Sequence, residues 1–153
     1  MPGAGRAWCL AVMTPESLFS VCGFVALAGW ILLVVAPRWS ARIVCGVLAP
    51  AILAVVYLAL IAGHFRGAEG GFGSLADVAQ LFQNPWLLLA GWVHYLAFDL
   101  FIGAWEVRDA RALGIPHLAV IPCLLLTFLL GPIGLLLYIA LRASMRRAIA
   151  IER

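Results

Sequence analysis

Two ionisable residues interrupt an otherwise apolar segment near the middle of the chain. His94 and Asp99 lie in the stretch from Trp86 to Trp105, which is long enough to cross a bilayer as a helix. A charged side chain at the centre of such a helix costs about 2.5–3.5 kcal/mol on insertion scales. Both side chains are therefore expected to face protein or a water-filled cavity, and they are the first candidates for chemistry.

An acid and a base in apolar surroundings suit proton-transfer chemistry. We predict Asp99 as a general acid and His94 as a general base, because burial disfavours the charged form of each group. At about 100° per residue the two lie about 140° apart around the helix axis, so they cannot pair with each other. Each must find partners on other helices, or the two act at different points of a cavity that surrounds this helix.

A second group of candidates follows at the end of the same segment. Glu106 shares a face with Asp99, about 20° away around the axis and about 10 Å further along it. Asp109 follows three residues later, and His117 begins the next apolar segment. Glu106, Asp109 and His117 could converge as supporting residues or as a metal site, although their spacing matches no common ligand pattern. Alternatively, Glu106 to Pro116 is a solvated turn in which the carboxylates pair with neighbouring arginines.

The elements that position these residues belong to an integral membrane protein. Of the 153 residues, 65% are hydrophobic and 11% are charged, whereas soluble domains are about 45–50% apolar and about 25% charged. This composition excludes a separate soluble catalytic domain. The formal net charge of +3 comes from dispersed arginines, so no nucleic-acid partner is predicted.

Hydropathy predicts an all-α bundle of four transmembrane helices in a single domain, residues 1–153. The expected spans are 17–35, 43–62, 86–105 and 117–141. Thr14 is an expected N-cap, Pro50 an expected kink, and Ser74 the start of a short amphipathic helix at the membrane interface, about 75–83. Pro122 and Gly131-Pro132 break the fourth span.

Four spans would put both termini on the same side as the long loop between the second and third spans. That side would carry six arginines and the other side four, which are Arg6, Arg66, Arg142, Arg146, Arg147 and Arg153 against Arg38, Arg42, Arg108 and Arg111. Because cytoplasmic loops are enriched in positive charge, both termini are predicted to be cytoplasmic. The residues before Thr14 show no signal-peptide or transit-peptide pattern, and either Met1 or Met13 could be the start.

Several motifs together resemble the abscisic acid-deficient protein 4 family of small four-helix membrane proteins. They are Asn84-Pro-Trp, Gly91-Trp-Val-His94-Tyr-Leu-Ala-Phe-Asp99-Leu-Phe-Ile-Gly103, Asp109, Gly114-Ile-Pro-His117 and Gly131-Pro-Ile-Gly134-Leu-Leu-Leu-Tyr138. The similarity extends from Met13 to about Arg142. In plants and algae, members of this family are needed to make neoxanthin from violaxanthin in plastids. The lack of a transit peptide looks more like a bacterial member, for which an inner-membrane location is expected.

The resemblance implies an isomerase of an epoxy-carotenoid. An acid protonates the oxygen of a 5,6-epoxide while a base removes the proton at C7, which gives an allenic alcohol without net oxidation or reduction. Asp99 and His94 are the residues that we assign to these two steps. Such a reaction requires no organic cofactor, and none is predicted, while a metal ion remains open.

Two other classes of function stay open at this stage. A non-catalytic protein would hold a carotenoid or another isoprenoid for a partner enzyme or within a homo-oligomer in the lipid bilayer. Its aromatic wall would consist of Trp86, Trp92, Phe98, Phe101 and Trp105. A metal-dependent lipid enzyme would instead use Glu106, Asp109 and His117 at the membrane surface.

Overall fold

The computed structural model describes residues 13–151, and this part of the chain is helical and contains no β-strand. In chain order the helices are α1 (Pro15–Val35), α2 (Pro37–Ser40), α3 (Ala49–His64), α4 (Leu75–Leu81), α5 (Pro85–Ala112), α6 (His117–Leu130) and α7 (Pro132–Ile151). A π-helical turn, Val44–Leu48, leads directly into α3. The predicted lack of a targeting peptide concerns residues 1–12, which lie outside the described residues.

Three helical segments are long and apolar enough to cross a membrane. They are α1, the continuous segment Val44–His64 and α5. These segments correspond to the first three predicted spans. The fourth span, expected over 117–141, is not confirmed, because Gly131 divides that region into α6 and α7, whose apolar parts are shorter.

Local capping signals determine where α1 and α4 begin. The Thr14 hydroxyl accepts a hydrogen bond from the Ser17 amide at 3.3 Å, and Pro15 occupies the first turn, where its missing N–H costs nothing. Ser74 caps α4 in the same way by accepting from the Asp77 amide at 3.1 Å. Both helix starts agree with the sequence prediction.

Pro50 is accommodated by a change of helix type just before it. A proline inside a regular α-helix removes a hydrogen bond, and its ring collides with the carbonyl four residues earlier. Here Pro50 lies in the first turn of α3 and follows the π-helical turn, in which the Leu48 amide bonds to the Ile43 carbonyl at 2.9 Å. The distortion expected at Pro50 therefore takes the form of this π-helical turn.

Helices α1 and α5 run in the same direction and pack on each other, and α3 packs on α5 in the opposite direction. Phe19 of α1 contacts Trp92 of α5, and further along both helices Trp30 packs closely against Gly103. His64, the last residue of α3, stacks on the second residue of α5. We call the end of the bundle at which α5 begins the Pro85 end, and the opposite end the Ala112 end.

Helix α6 starts at the Ala112 end and runs back along α5. His117 Nε2 lies 3.0 Å from the carbonyl oxygen of Val34, close to the end of α1. Eleven residues later the Phe128 carbonyl accepts a hydrogen bond from the Tyr95 hydroxyl at 3.2 Å. Tyr95 lies in the first half of α5, so α6 is antiparallel to α5.

The chain reverses at Gly131, and α7 returns to the Ala112 end. Gly131 has φ +49°, a conformation that favours glycine. Gly134 packs so tightly on the backbone of Thr127 that an added Cβ atom would collide with it. One further helical turn on, the Tyr138 hydroxyl donates to Asp109 Oδ2 at 2.6 Å, near the end of α5. Helices α6 and α7 thus form a hairpin, which we call the α6–α7 hairpin, with its tip beside the middle of α5.

The hairpin changes the distribution of arginines between the two ends of the bundle. Arg142 forms an ion pair with Asp109, so it lies at the Ala112 end. Helix α7 continues beyond Arg142 to Ile151. Among residues 13–151, seven arginines belong to the Ala112 end, namely Arg38, Arg42, Arg108, Arg111, Arg142, Arg146 and Arg147, and Arg66 belongs to the Pro85 end. The sequence-based division had grouped Arg142, Arg146 and Arg147 with Arg66, because it assumed that 117–141 crosses the membrane.

Candidate functional site

One face of α5 presents a row of polar side chains to the α6–α7 hairpin. Tyr95, Asp99, Glu106 and Asp109 are separated by four, seven and three residues, which places them on the same side of a helix with 3.6 residues per turn. Each of them contacts a residue of the hairpin. We call this row the acid face of α5.

Asp99 lies at the tip of the hairpin. Its Oδ2 atom is buried and has no hydrogen-bond partner among residues 13–151. The carboxyl group rests against Gly131, where an added Cβ atom would come within 3.1 Å of Oδ2. Tyr95, one turn earlier, interacts with the Asp99 carboxyl group, and its hydroxyl donates a hydrogen bond to the Phe128 carbonyl oxygen. The predicted acid, Asp99, is thus half-buried against the hairpin tip, and its buried Oδ2 atom has no partner in residues 13–151.

Glu106 is the most deeply buried carboxylic acid in the described part of the chain. Its side chain is 0% exposed, and Oε1 accepts a hydrogen bond from Thr127 Oγ1 at 2.9 Å. Its other oxygen, Oε2, has no partner in residues 13–151. A buried carboxyl group in this state is costly unless a proton or an incoming polar group completes its hydrogen bonds.

Asp109 closes the acid face at the Ala112 end. Its Oδ2 atom accepts from the Tyr138 hydroxyl at 2.6 Å and from Arg142 Nε at 2.7 Å, while Arg142 Nη2 reaches Oδ1 at 3.3 Å. The alternative of a solvated turn over Glu106 to Pro116 is therefore wrong. The segment is helical as far as Ala112, and its carboxylates bond to the hairpin rather than to the adjacent arginines.

The structure does not bring Glu106, Asp109 and His117 together. His117 reaches the Val34 carbonyl at the end of α1, while the two carboxylates bond to different hairpin residues. Among residues 13–151, no three His, Cys, Asp or Glu side chains are grouped so that they could hold a metal ion. The predicted convergence fails because each of these side chains has a partner of its own.

His94 lies on another side of α5, as the angle of about 140° predicts. Its ring lies 4.5 Å from that of Phe98 and 5.6 Å from that of Tyr57 on α3. It also lines a cavity of about 270 Å³ together with Phe72 and Phe82 from the region of α4. His94 and Asp99 therefore lie in different surroundings.

The five predicted aromatic residues do not form one wall. Trp86 stacks on His64, Phe98 stacks on His94, Phe101 lies beneath Arg108, and Trp105 meets the edge of Tyr138. Trp92 alone of the five lines a groove on the side of α1. Phe98, Phe101 and Trp105 lie within about 60° around the axis of α5 but contact different partners, and Trp86 and Trp92 lie at other angles.

Two apolar grooves lie along α1. The first, of about 420 Å³, lies between the starts of α1 and α5 and includes Phe19 and Trp92. The second, of about 240 Å³, lies between α1 and α6 and includes Trp30 and Phe128. Tyr95 connects them, because its ring is 5.4 Å from that of Trp92 and its hydroxyl bonds to the carbonyl of Phe128. Neither groove is lined by Asp99 itself, and the link to Asp99 is Tyr95, one helical turn before it on α5.

Sequence reasoning missed the hairpin residues that meet the acid face. Thr127 and Tyr138 supply hydroxyl groups to Glu106 and Asp109. Gly131 brings its backbone close to Asp99. One signal was available, since Thr127 is the one hydroxyl-bearing side chain in α6. A lone hydroxyl in an apolar helix often bonds across to another helix.

These features define a helical membrane protein with three apolar helices long enough to span the bilayer and with carboxyl groups buried under a short hairpin. Residues 17–138 match the ABA4-like family, described as ABA DEFICIENT 4-like, and the match covers most of the chain. The chain therefore belongs to this family, and the resemblance drawn from its motifs is confirmed. No curated protein and no solved structure matches it.

Proposed function

We propose that this protein is an intramembrane isomerase that converts an epoxy-carotenoid into an allenic alcohol, with Asp99 as the acid. The observation that carries the proposal is the buried Asp99 Oδ2 atom, which lacks a partner among residues 13–151. A ligand oxygen placed there would complete the hydrogen bonds of the carboxyl group. Family membership supports a carotenoid-related substrate. The two apolar grooves, linked by Tyr95 one helical turn before Asp99, suit a polyene.

The proposed reaction consists of two proton transfers. Protonated Asp99 donates its proton to the epoxide oxygen, and the bond between this oxygen and C6 breaks. The electron pair of the C7–H bond forms the new C6–C7 double bond, and the Asp99 carboxylate takes the C7 proton. The acid is thereby restored, and no electrons leave or enter the substrate. Asp99 replaces His94 as the base, because His94 contacts Tyr57 and Phe98 on another side of α5.

Glu106 acts as a positioning residue in this scheme. It is fully buried behind the tip of the hairpin, so it does not reach a ligand in the grooves. Its bond to Thr127 holds α6 against α5, two turns from Asp99. This contact fixes the position of the hairpin tip that encloses Asp99.

A carrier is the second candidate function. Phe19, Trp92 and Tyr95 form a continuous row of ring contacts at 5.5 and 5.4 Å beside the first groove. Such a row can hold a polyene by contact alone, without any proton transfer. A carrier would deliver the carotenoid to a partner enzyme or hold it in a homo-oligomer.

Purified protein in proteoliposomes with violaxanthin separates these functions. The isomerase should form neoxanthin without any added cofactor, and protein-free liposomes should not, as measured by chromatography. A carrier would retain violaxanthin unchanged through repurification. Absence of both product and retained pigment would contradict both candidate functions.

We also propose how the chain is arranged in the membrane. Three segments cross it, the α6–α7 hairpin enters and leaves at the Ala112 end, and α4 lies at the interface of the Pro85 end. Seven arginines at the Ala112 end against one at the Pro85 end support a cytoplasmic Ala112 end. The exposed Phe72 and Leu75 support an interfacial α4.

Cysteine labelling tests this arrangement in a background without the native cysteines. Gly71→Cys, at a position where an added Cβ atom meets nothing within 4 Å, should react with an impermeant maleimide in intact cells. Ser144→Cys should react only after permeabilisation. A four-span protein would show both positions on the same side. That result would overturn the hairpin arrangement.

A further inference from the structure

A pocket lined by four arginines opens at the Ala112 end. Its volume is about 290 Å³, and it is lined by Arg38, Ala41, Arg42, Arg108, Arg111 and Ala112. The ion pair found within residues 13–151 joins Arg142 to Asp109, and none of these four guanidinium groups pairs with a carboxylate there. Like charges that share a pocket repel one another, and an anion bound between them would remove the repulsion.

Two of the guanidinium groups are held in place by uncharged contacts. Arg111 Nη1 donates to the carbonyl oxygen of Arg38 at 3.1 Å. Arg108 lies over Phe101, with 5.9 Å from Cζ to the ring centroid, and an added Cβ atom at Gly46 would come within 2.8 Å of Arg108 Nη1. Their remaining N–H groups are therefore preorganised for a ligand. Arginine forks of this kind match the geometry of phosphate oxygens.

An apolar groove begins where the arginine pocket ends. Arg38 and Arg111 also line this neighbouring groove of about 660 Å³, whose other walls include Val34, Val35 and Trp39. Trp39 is 65% exposed, as is typical of tryptophans at the level of lipid headgroups. A cationic pocket joined to an apolar groove at a membrane surface fits a ligand with an anionic head and an apolar chain.

We propose that the arginine pocket binds the phosphate group of an anionic phospholipid, with an acyl chain in the groove at the end of α1. The phosphate accepts hydrogen bonds from Arg108 and Arg111, and Arg38 and Arg42 neutralise the rest of the headgroup charge. The site lies at the opposite end of α5 from the first groove, and it does not depend on the isomerase function.

Native mass spectrometry of the full chain in a neutral detergent tests the proposal. Phosphatidylglycerol should remain bound at least about tenfold more tightly than phosphatidylcholine with the same acyl chains. The double variant Arg108→Gln/Arg111→Gln should lose about tenfold or more of the phosphatidylglycerol affinity. Arg66→Gln, which removes an exposed arginine at the Pro85 end, is the matched control and should not change it.

Arg42→Gln keeps the test decisive if the double variant fails to fold. Its side chain is exposed, and a smaller but measurable loss of phosphatidylglycerol binding is expected. Equal binding of the two lipids, or unchanged phosphatidylglycerol binding in the variants, would overturn the proposal. Inorganic phosphate that competes as well as phosphatidylglycerol at equal concentration would also overturn it, because the pocket would then be a site for a free anion.

Discussion

Two sides of α5 hold their ionisable residues in opposite ways. On the acid face, carboxyl groups meet hydroxyl and guanidinium groups of the α6–α7 hairpin, and Asp99 and Glu106 each keep one oxygen without a partner in residues 13–151. On the side of α3 and α4, His94 lies between the rings of Tyr57 and Phe98. The acid face thus holds buried carboxyl oxygens with unused hydrogen-bonding capacity, whereas His94 is exposed and contacts two aromatic rings. This difference is why we assign the chemistry to Asp99.

The strongest test of how the acid face is covered is a substitution at the tight contact inside the hairpin. Gly134→Ala places a methyl group against the backbone of Thr127, which cannot move aside by changing a rotamer. We expect the free energy of unfolding in detergent to fall by about 3 kcal/mol. Gly23→Ala is the matched control, because an added Cβ atom at Gly23 meets nothing within 4 Å. Equal thermal stability of the two variants would show that the hairpin does not pack as described.

A smaller effect is expected from the hydroxyl that supports Glu106. Thr127→Val keeps the shape of the side chain but removes the donor to Oε1, so that neither oxygen of this fully buried carboxyl group has a partner in residues 13–151. The expected loss is about 2 kcal/mol of the free energy of unfolding, measured by denaturant titration in detergent. Thr127→Ser retains the hydroxyl and should lose less. A valine variant as stable as the wild type would mean that Glu106 does not rely on this contact.

Features of the fold that depend on neighbouring residues could be predicted from the sequence. Thr14 and Ser74 cap their helices as expected, because a cap involves residues only three positions apart. The apolar runs of the first three spans are equally local, and α5 merely continues further than expected, to Ala112. Asp99 could be identified as a candidate because placing an ionisable residue in an apolar membrane segment costs free energy wherever its partners lie.

Features that depend on distant partners could not be predicted. The partners of Glu106 and Asp109 lie 21, 29 and 33 residues away along the chain, so the local charge pattern indicated salt bridges within a turn instead. The α6–α7 hairpin could not be predicted from the sequence for a related reason. The composition of 117–141 is that of a membrane span, and the reversal depends on the conformation of Gly131 and on how closely Gly134 approaches Thr127.

The rates of two conservative variants test most directly whether the acid face carries the chemistry. Asp99→Asn and His94→Gln each keep hydrogen-bonding capacity and remove one acid–base group, one on each side of α5. In proteoliposomes with violaxanthin, Asp99→Asn should bind the pigment but form neoxanthin about 10²–10⁴-fold more slowly, the usual contribution of a general acid or base. His94→Gln should form it at close to the wild-type rate. Normal turnover by Asp99→Asn, or an equal loss in His94→Gln, would contradict the account.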